Sequence, residues 1–129
     1  MPRPDPDRVT QAHVDSAHDG ILVTDPKGII LSINPAGAKI LGYESPDEMV
    51  GMNIARVYKD RKQRSALRDK LEREGYLLEY EVEFKRRDGS TGFSSSTVTL
   101  RRDGEGNIER IESFFRDITE RKRMVEDLR

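Results

Sequence analysis

The chain contains no cysteine. That excludes a disulfide framework, a thiolate metal site and a thiol nucleophile, and it permits a reducing compartment. Only 2 histidines occur, His13 and His18, both near the N-terminus, and aromatic residues make up 6% of the chain, so large rings are scarce. No apolar run approaches the roughly 20 residues that a membrane span requires. Residues 1–7, MPRPDPD, lack the apolar stretch of a signal peptide. A cytoplasmic location without membrane contact is the expectation. The 23 basic and 24 acidic side chains leave a net charge of −1, so no overall field steers a polyanion, and nucleic acid is not an expected partner. There is no glycine-rich nucleotide-binding stretch. Charged residues (36%) slightly outnumber hydrophobic ones (34%), at a mean hydropathy of −0.77. A chain of 129 residues with that balance implies one domain with a thin core, part of whose surface is shared with a partner.

What is present is strongly patterned. Asp7 can cap a helix carrying Val9, Ala12, Val14 and Ala17. GILVTD at 20–25 and GIILSIN at 28–34 are β-branched runs joined by Asp25-Pro26-Lys27-Gly28, with proline and glycine where a β-turn wants them. Asn34-Pro35 supplies an N-cap and an N1 proline for a short helix over 35–41. Ser45-Pro46-Asp47-Glu48 repeats the device as a capping box. Lys59 to Glu74 is rich in helix formers, with Ala66, Leu67 and Leu71 on its apolar side. From Tyr76 to Lys85 apolar and charged residues alternate, so Tyr76, Leu78, Tyr80, Val82 and Phe84 are expected on the core face. Turns at Asp88-Gly89 and Asp103–Asn107 lead into strands over 91–101 and 108–118. The order implies an α+β fold: one antiparallel five-stranded sheet, helices packed on one face, and flanking helices at both ends. Both faces of the first two strands are apolar, so the leading helix, or that of a second chain, is expected to cover the second face.

The segment FFRDITERK at 114–122 turns from apolar strand to charge. Asp117 and Glu120 are three apart, which predicts a capping box starting a new helix. Ile118, Arg121, Val125 and Leu128 alternate at spacings of three and four, the beginning of a coiled-coil seam. The chain ends within helix-forming sequence, so the natural reading frame is expected to continue beyond Arg129.

Isolated chemistry-bearing residues have blander readings. His18 beside Asp19 has no kinase-like surroundings. Ser94-Ser95-Ser96-Thr97 offers hydroxyls without a base whose position the sequence defines, and a half-buried polar strand explains it. The basic run KDRKQR at 59–64 has Tyr58 beside it but no interleaved aromatics, and reads as a solvated helix face. Glu79, Glu81 and Glu83 read as partners of neighbouring cations. No catalytic residue and no metal ligand are expected.

In order and spacing, DGILVTDPKGIILSINPAGAKILGY at 19–43, KRRDGS at 85–90, the DGEGN turn and RDITERK resemble the PAS domain in its bacterial sensor form. The resemblance covers residues 18–122. Composition and pattern mark a proline-rich, charged stretch 1–6 as disordered and 7–18 as a flanking helix, and the resemblance adds a PAS domain 19–118 and the start of a signalling helix 119–129. It implies a sheet wrapped around a small cavity, without catalytic activity. Toward that cavity the first strands would turn Leu22, Thr24, Leu31 and Ile33, with Ile21, Val23 and Ile30 on the other face. The helices and their connections would add Gly37, Leu41, Met52, Ile54, Leu67 and Leu71. The last three strands would add Tyr80, Val82, Phe84, Phe93 and Phe115, a list that equally describes a packed core. The junction Asp117, Ile118, Thr119 and Glu120 would carry output.

The resemblance also bears on cofactors. Heme-binding members place an imidazole near the long helix, and no histidine follows His18, although Met49 or Met52 offers a sulfur. Flavin photosensors use a cysteine in a stretch comparable to Gly51–Arg56, where this chain has Ile54. Heme and a thiol-adduct flavin are therefore not expected, nor is a thioester-linked chromophore. A small apolar metabolite, a lipid or no ligand at all stays open. The implied function is a sensory module that relays a change through its C-terminal helix to an effector such as a histidine kinase, as a homodimer through the terminal helices. A ligand-free dimerisation scaffold is the alternative, and a small enzyme using the cavity has poor motif support.

Overall fold

The structure, a computed structural model, describes residues 17–127. The expectations for residues 1–16 and 128–129, including the disordered lead, most of the flanking helix and Leu128, lie outside the described residues. Ala17 and His18 form a turn leading into the first strand. Five strands follow: β1 Gly20–Thr24, β2 Ile30–Ile33, β3 Tyr76–Lys85, β4 Thr91–Arg102 and β5 Ile108–Asp117. They form one antiparallel sheet in the order β2-β1-β5-β4-β3. Between β2 and β3 lie a short helix Pro35–Ile40, two 3-10 turns at Pro46–Glu48 and Ile54–Val57, and a long helix Arg61–Glu74. A last helix, Thr119–Asp127, leaves β5. The α+β architecture expected from the sequence is the one observed.

Local chemistry explains most of the joints. In the first hairpin Asp25 Oδ1 accepts from the backbone N–H groups of Lys27 and Ile29, both at 2.9 Å. Asn34 Oδ1 accepts from Gly37 N at 2.9 Å and from Ile21 N at 2.8 Å, so one side chain caps the short helix and pins it to β1. Asp60 caps the long helix through Gln63 N at 2.8 Å, and Gly75, at φ +81°, ends it in the left-handed conformation. The expected capping box at Ser45 is not formed. The segment makes only one 3-10 turn without a side-chain cap, and Glu48 instead pairs with Arg87 at 2.9 Å.

Two bulges overturn parts of the face assignment. In the β1–β2 ladder Val23 pairs with Ser32 and Thr24 with Ile30, which leaves Leu31 as the extra residue. Leu31 is therefore 49% exposed, and Ile30, expected on the far face, is fully buried. In β3 the register jumps from Leu77↔Val98 to Tyr80↔Ser96, with Glu79 at φ +48° and its N–H directed at Thr97 Oγ1. A one-residue shift inverts the faces, so Leu77 is buried and Leu78 is exposed. Beyond the bulge Val82 and Phe84 face inward as expected.

The core is divided into two clusters. One gathers Ile30, Ile33, Ala38, Leu41, Met49 and Phe115 around the short helix. The other gathers Leu67, Leu71, Leu77, Val82, Val98 and Leu100 beneath the long helix. Tyr58 packs against both.

Candidate functional site: the seam between the two clusters

Two adjoining cavities, of about 60 and about 50 Å³, lie where the clusters meet. Leu22, Ile54, Tyr58, Leu67, Val98 and Ser113 line both. The first extends to Thr24, Gly28 and Leu71, with Arg64 and Arg68 from the long helix. The second extends to Leu41, Val82, Phe84, Ser94, Ser96 and Phe115. The opening has a sequence cause. On the inner face of β4 and β5, Ser94, Ser96 and Ser113 stand where larger apolar residues would join the clusters, and their small volumes leave space. The Ser94 and Ser96 hydroxyls bond each other at 3.2 Å, which lessens the cost of burying them.

Neighbouring joints hold this geometry. The outer edge of β2 is paired by Ile30 N to Met52 O and Gly51 N to Ile30 O, both at 2.9 Å, which brings Ile54 to the seam. A side chain at Gly20 would place its Cβ 2.3 Å from the Phe115 ring, so only glycine admits that ring beneath β1. Burial pushes the Tyr58 hydroxyl up to about 12, against a smaller opposing effect of Arg64, so it is a protonated donor at neutral pH.

Of the residues expected at the cavity, Leu22, Thr24, Leu41, Ile54, Leu67 and Leu71 line it, as do Val82, Phe84 and Phe115. Leu31 does not, because of the bulge. Phe93 does not either: β4 alternates, Ser94 and Ser96 point inward, and Phe93 lies on the far face with Lys122 Nζ 5.4 Å from its ring centre. Ile33, Gly37, Met52 and Tyr80 are placed elsewhere. Ile33 and Gly37 pack together, an added Cβ on Gly37 meeting Ile33 at 2.9 Å. Met52 is half-buried against the first cluster and Tyr80 against the second. Sequence reasoning missed Tyr58, Arg64, Arg68, Ser94, Ser96 and Ser113 as lining. The inward alternation of β4 could have exposed Ser94 and Ser96, and Arg64 belongs to the run 59–64 that reads as solvated.

The output junction differs from the expected capping box. Asp117 Oδ1 accepts from Thr119 N at 2.9 Å and from Thr119 Oγ1, a tighter turn than a bond to Glu120 would make. Ile118 is buried rather than on an outer seam, its N–H donating to Phe93 O at 2.9 Å. Thr119 Oγ1 accepts from Phe93 N at 2.9 Å. Lys122 pairs with Glu81 at 2.6 Å, and that hydrogen bond holds the Glu81 carboxyl below its usual range. Arg86 reaches Asp117 at 3.5 Å. β3, β4 and β5 thus all grip the first turn of the last helix.

The sequence model of the PAS fold matches residues 10–118. This chain belongs to the PAS fold family. Over 109 residues it is 28% identical to the signal transduction histidine-protein kinase AtoS of Escherichia coli K12, a match covering 84% of this chain and 18% of the kinase. The chain thus spans about a fifth of that relative's length. Among solved structures, the PAS domain of a Colwellia psychrerythraea protein superimposes at a TM-score of 0.73, with 22% identity over 90% of this chain and 99% of that one. A light-oxygen-voltage domain described with a flavin analogue superimposes at 0.68, with 23% identity over 93% and 90% of the two chains. These likenesses establish the fold. The PAS domain here does not suit the larger family cofactors: its cavities are far below the roughly 300 Å³ at which cofactor-sized pockets begin. Neither Met49 nor Met52 lines them, so no sulfur is presented to a heme. Among the described residues no cluster of metal-ligating side chains occurs and no helix is long and apolar enough to cross a membrane.

Proposed function

We propose that this chain is a sensory input module of a signalling protein. A small molecule held at the seam shifts β5, and the shift passes through Asp117, Ile118, Thr119 and Glu120 into the last helix and on to an effector such as a histidine kinase. One observation carries the reading: Ser113 and Phe115 line the cavity on the same strand that ends in Asp117. A movement at the wall is therefore a movement of the helix root. Similarity to a histidine kinase over its PAS part supports an effector of that class. The role is binding and relay rather than catalysis, since the lining offers hydroxyls and guanidinium groups but no general base. A cytoplasmic setting and a protein rather than nucleic-acid partner complete the proposal.

The test is to extract the purified chain, identify any retained small molecule by mass spectrometry, and screen metabolites by thermal shift. Retention or saturable stabilisation is expected. An empty chain that no metabolite stabilises would favour the alternative of a ligand-free scaffold.

Homodimerisation through the terminal helices is part of the proposal. Met124 (59%) and Val125 (49%) are exposed on the last helix, where a partner helix could cover them. The solution mass of the full chain should be that of a dimer and fall to a monomer's with Met124→Glu and Val125→Glu together. A dimer that survives both substitutions would place the interface elsewhere.

A further inference from the structure

We infer that the seam is a receptor site for a short-chain carboxylic acid, its carboxylate held by Arg64, Arg68 and Tyr58 and its alkyl end against Leu22, Leu67 and Val98. The inference rests on the sensory reading above and gives it a ligand class.

Charge is the first support. Two guanidinium groups line the cavities and no carboxylate does. Arg64 is half-buried, and among the described residues it has neither an ion pair nor a hydrogen bond. Arg68 donates from Nη1 to the Pro26 carbonyl oxygen at 3.0 Å, but its Nε is closed to solvent without a hydrogen bond, with Glu72 3.6 Å away. The Arg68 Nε–Glu72 ion pair is too long for a hydrogen bond, and a donor closed to solvent without one costs free energy that an anion at that point would recover.

The local backbone is fitted to the cation. Gly28 has φ +90°, and a Cβ there would come within 2.5 Å of Arg64 Nη2. The turn glycine thus makes room for the guanidinium over the cavity. A guanidinium fork matches a carboxylate geometrically, and the Tyr58 hydroxyl, with the Thr24 and Ser113 hydroxyls nearby, can add bonds.

Size and polarity restrict the rest of the molecule. A cavity of about 150 Å³ takes benzene with room to spare, so the spaces of about 60 and 50 Å³ suit a two-carbon acid singly and, taken together, an acid no larger than butyrate, whose six heavy atoms equal benzene's. Beyond the arginines the walls are largely aliphatic, which favours an alkyl group over an inorganic anion.

The test is calorimetric titration of the full chain with butyrate, butyramide, 1-butanol and inorganic phosphate. Butyrate should bind saturably, at least about tenfold more tightly than butyramide or phosphate. Arg64→Gln should abolish the preference for acid over amide without altering the circular dichroism spectrum, while Arg64→Lys, which keeps the charge but loses the fork, should retain part of it. Equal binding of acid and amide, equal binding of phosphate, or an Arg64→Gln variant with undiminished preference would overturn the carboxylate inference. In the first of these the sensory reading stands. Failure of the acid, amide and alcohol alike to bind would overturn the inference and count against the sensory reading too.

Discussion

The two halves of the core solve the same packing problem differently. Around the short helix, glycines at positions 20 and 37 let Phe115 and Ile33 close on the backbone, and Ile30 and Met49 are fully enclosed. Beneath the long helix the apolar cover comes chiefly from Leu67 and Leu71, and the facing strands offer serines beside Val82 and Val98. Where the halves meet, volume is missing and polar atoms collect. The difference teaches that the cavity arises from residue choice at a boundary: the fold supplies a second cluster, and Ser94, Ser96 and Ser113 keep it from fusing with the first.

The largest break in this comparison is to empty one half. Met49→Ala in the first cluster and Leu71→Ala in the second should each destabilise the domain by about 2 to 5 kcal/mol in urea unfolding. Leu71 lines the seam and Met49 does not, so only Leu71→Ala should also enlarge the seam cavity, measurable as increased benzene uptake beside Leu22 and Val98 in NMR contacts to those side chains. Equal uptake at that place in both variants would contradict the separation of the clusters.

The boundary can be examined through its hydroxyl pair. Ser94→Ala or Ser96→Ala alone leaves a buried partner unsatisfied, at about 1 to 3 kcal/mol, whereas the double substitution removes both polar groups. A double-mutant cycle should therefore give a coupling of about 1 kcal/mol. Strict additivity would mean that the 3.2 Å contact contributes nothing.

A comparable, local effect is expected at the output junction. Asp117→Ala removes the acceptor for Thr119 N and should cost about 0.5 to 2 kcal/mol, with faster hydrogen exchange confined to the last helix. Exchange rising throughout the sheet would show that the junction is a global fastener instead.

The smallest effect is a spectroscopic one. Tyr58 has its folded-state value raised from 10.0 to about 12, so its contribution to stability is complete below pH 10 and fades as pH rises toward about 12. Ultraviolet titration should show a phenol ionising near 12 that Tyr58→Phe removes. An unchanged titration curve would mean that the ring is better hydrated than its place between the clusters implies.

Much of this fold is legible in the sequence. The Asn34-Pro35 and Asp25–Gly28 signatures marked their joints because each acts through neighbours in sequence, and the five strands followed from period-two patterns. The two misread faces have one physical origin. A bulge adds a residue without changing composition, so Leu31 and Leu78 look like inward residues in sequence and face outward in the fold. Phe93 faces outward because β4 alternates and its inward residues beside Phe93 are serines. Arg64 and Arg68 were invisible as cavity residues, since a cation's partners, or its lack of them, depend on chain brought from elsewhere: here Gly28 and Pro26 of the first hairpin. At Asp117 the acid reads correctly as a helix starter, but in the fold β4 holds Thr119 through Phe93 N and β3 holds Lys122 through Glu81, and the shorter bond from Thr119 N to Asp117 stands in place of a capping box.

The central claim is that occupancy of the seam is read at the root of the last helix. Amide hydrogen exchange of the full chain with and without saturating butyrate, resolved at Phe93, Ile118 and Thr119 and along the last helix, tests it most directly. Exchange should alter at the cavity wall and at these junction amides together, and the junction response but not the wall response should be lost in Ile118→Pro, which lacks the N–H that donates to Phe93 O. Saturable binding that changes exchange only around Leu22, Leu67 and Val98, leaving the junction untouched in the unaltered chain, would contradict it.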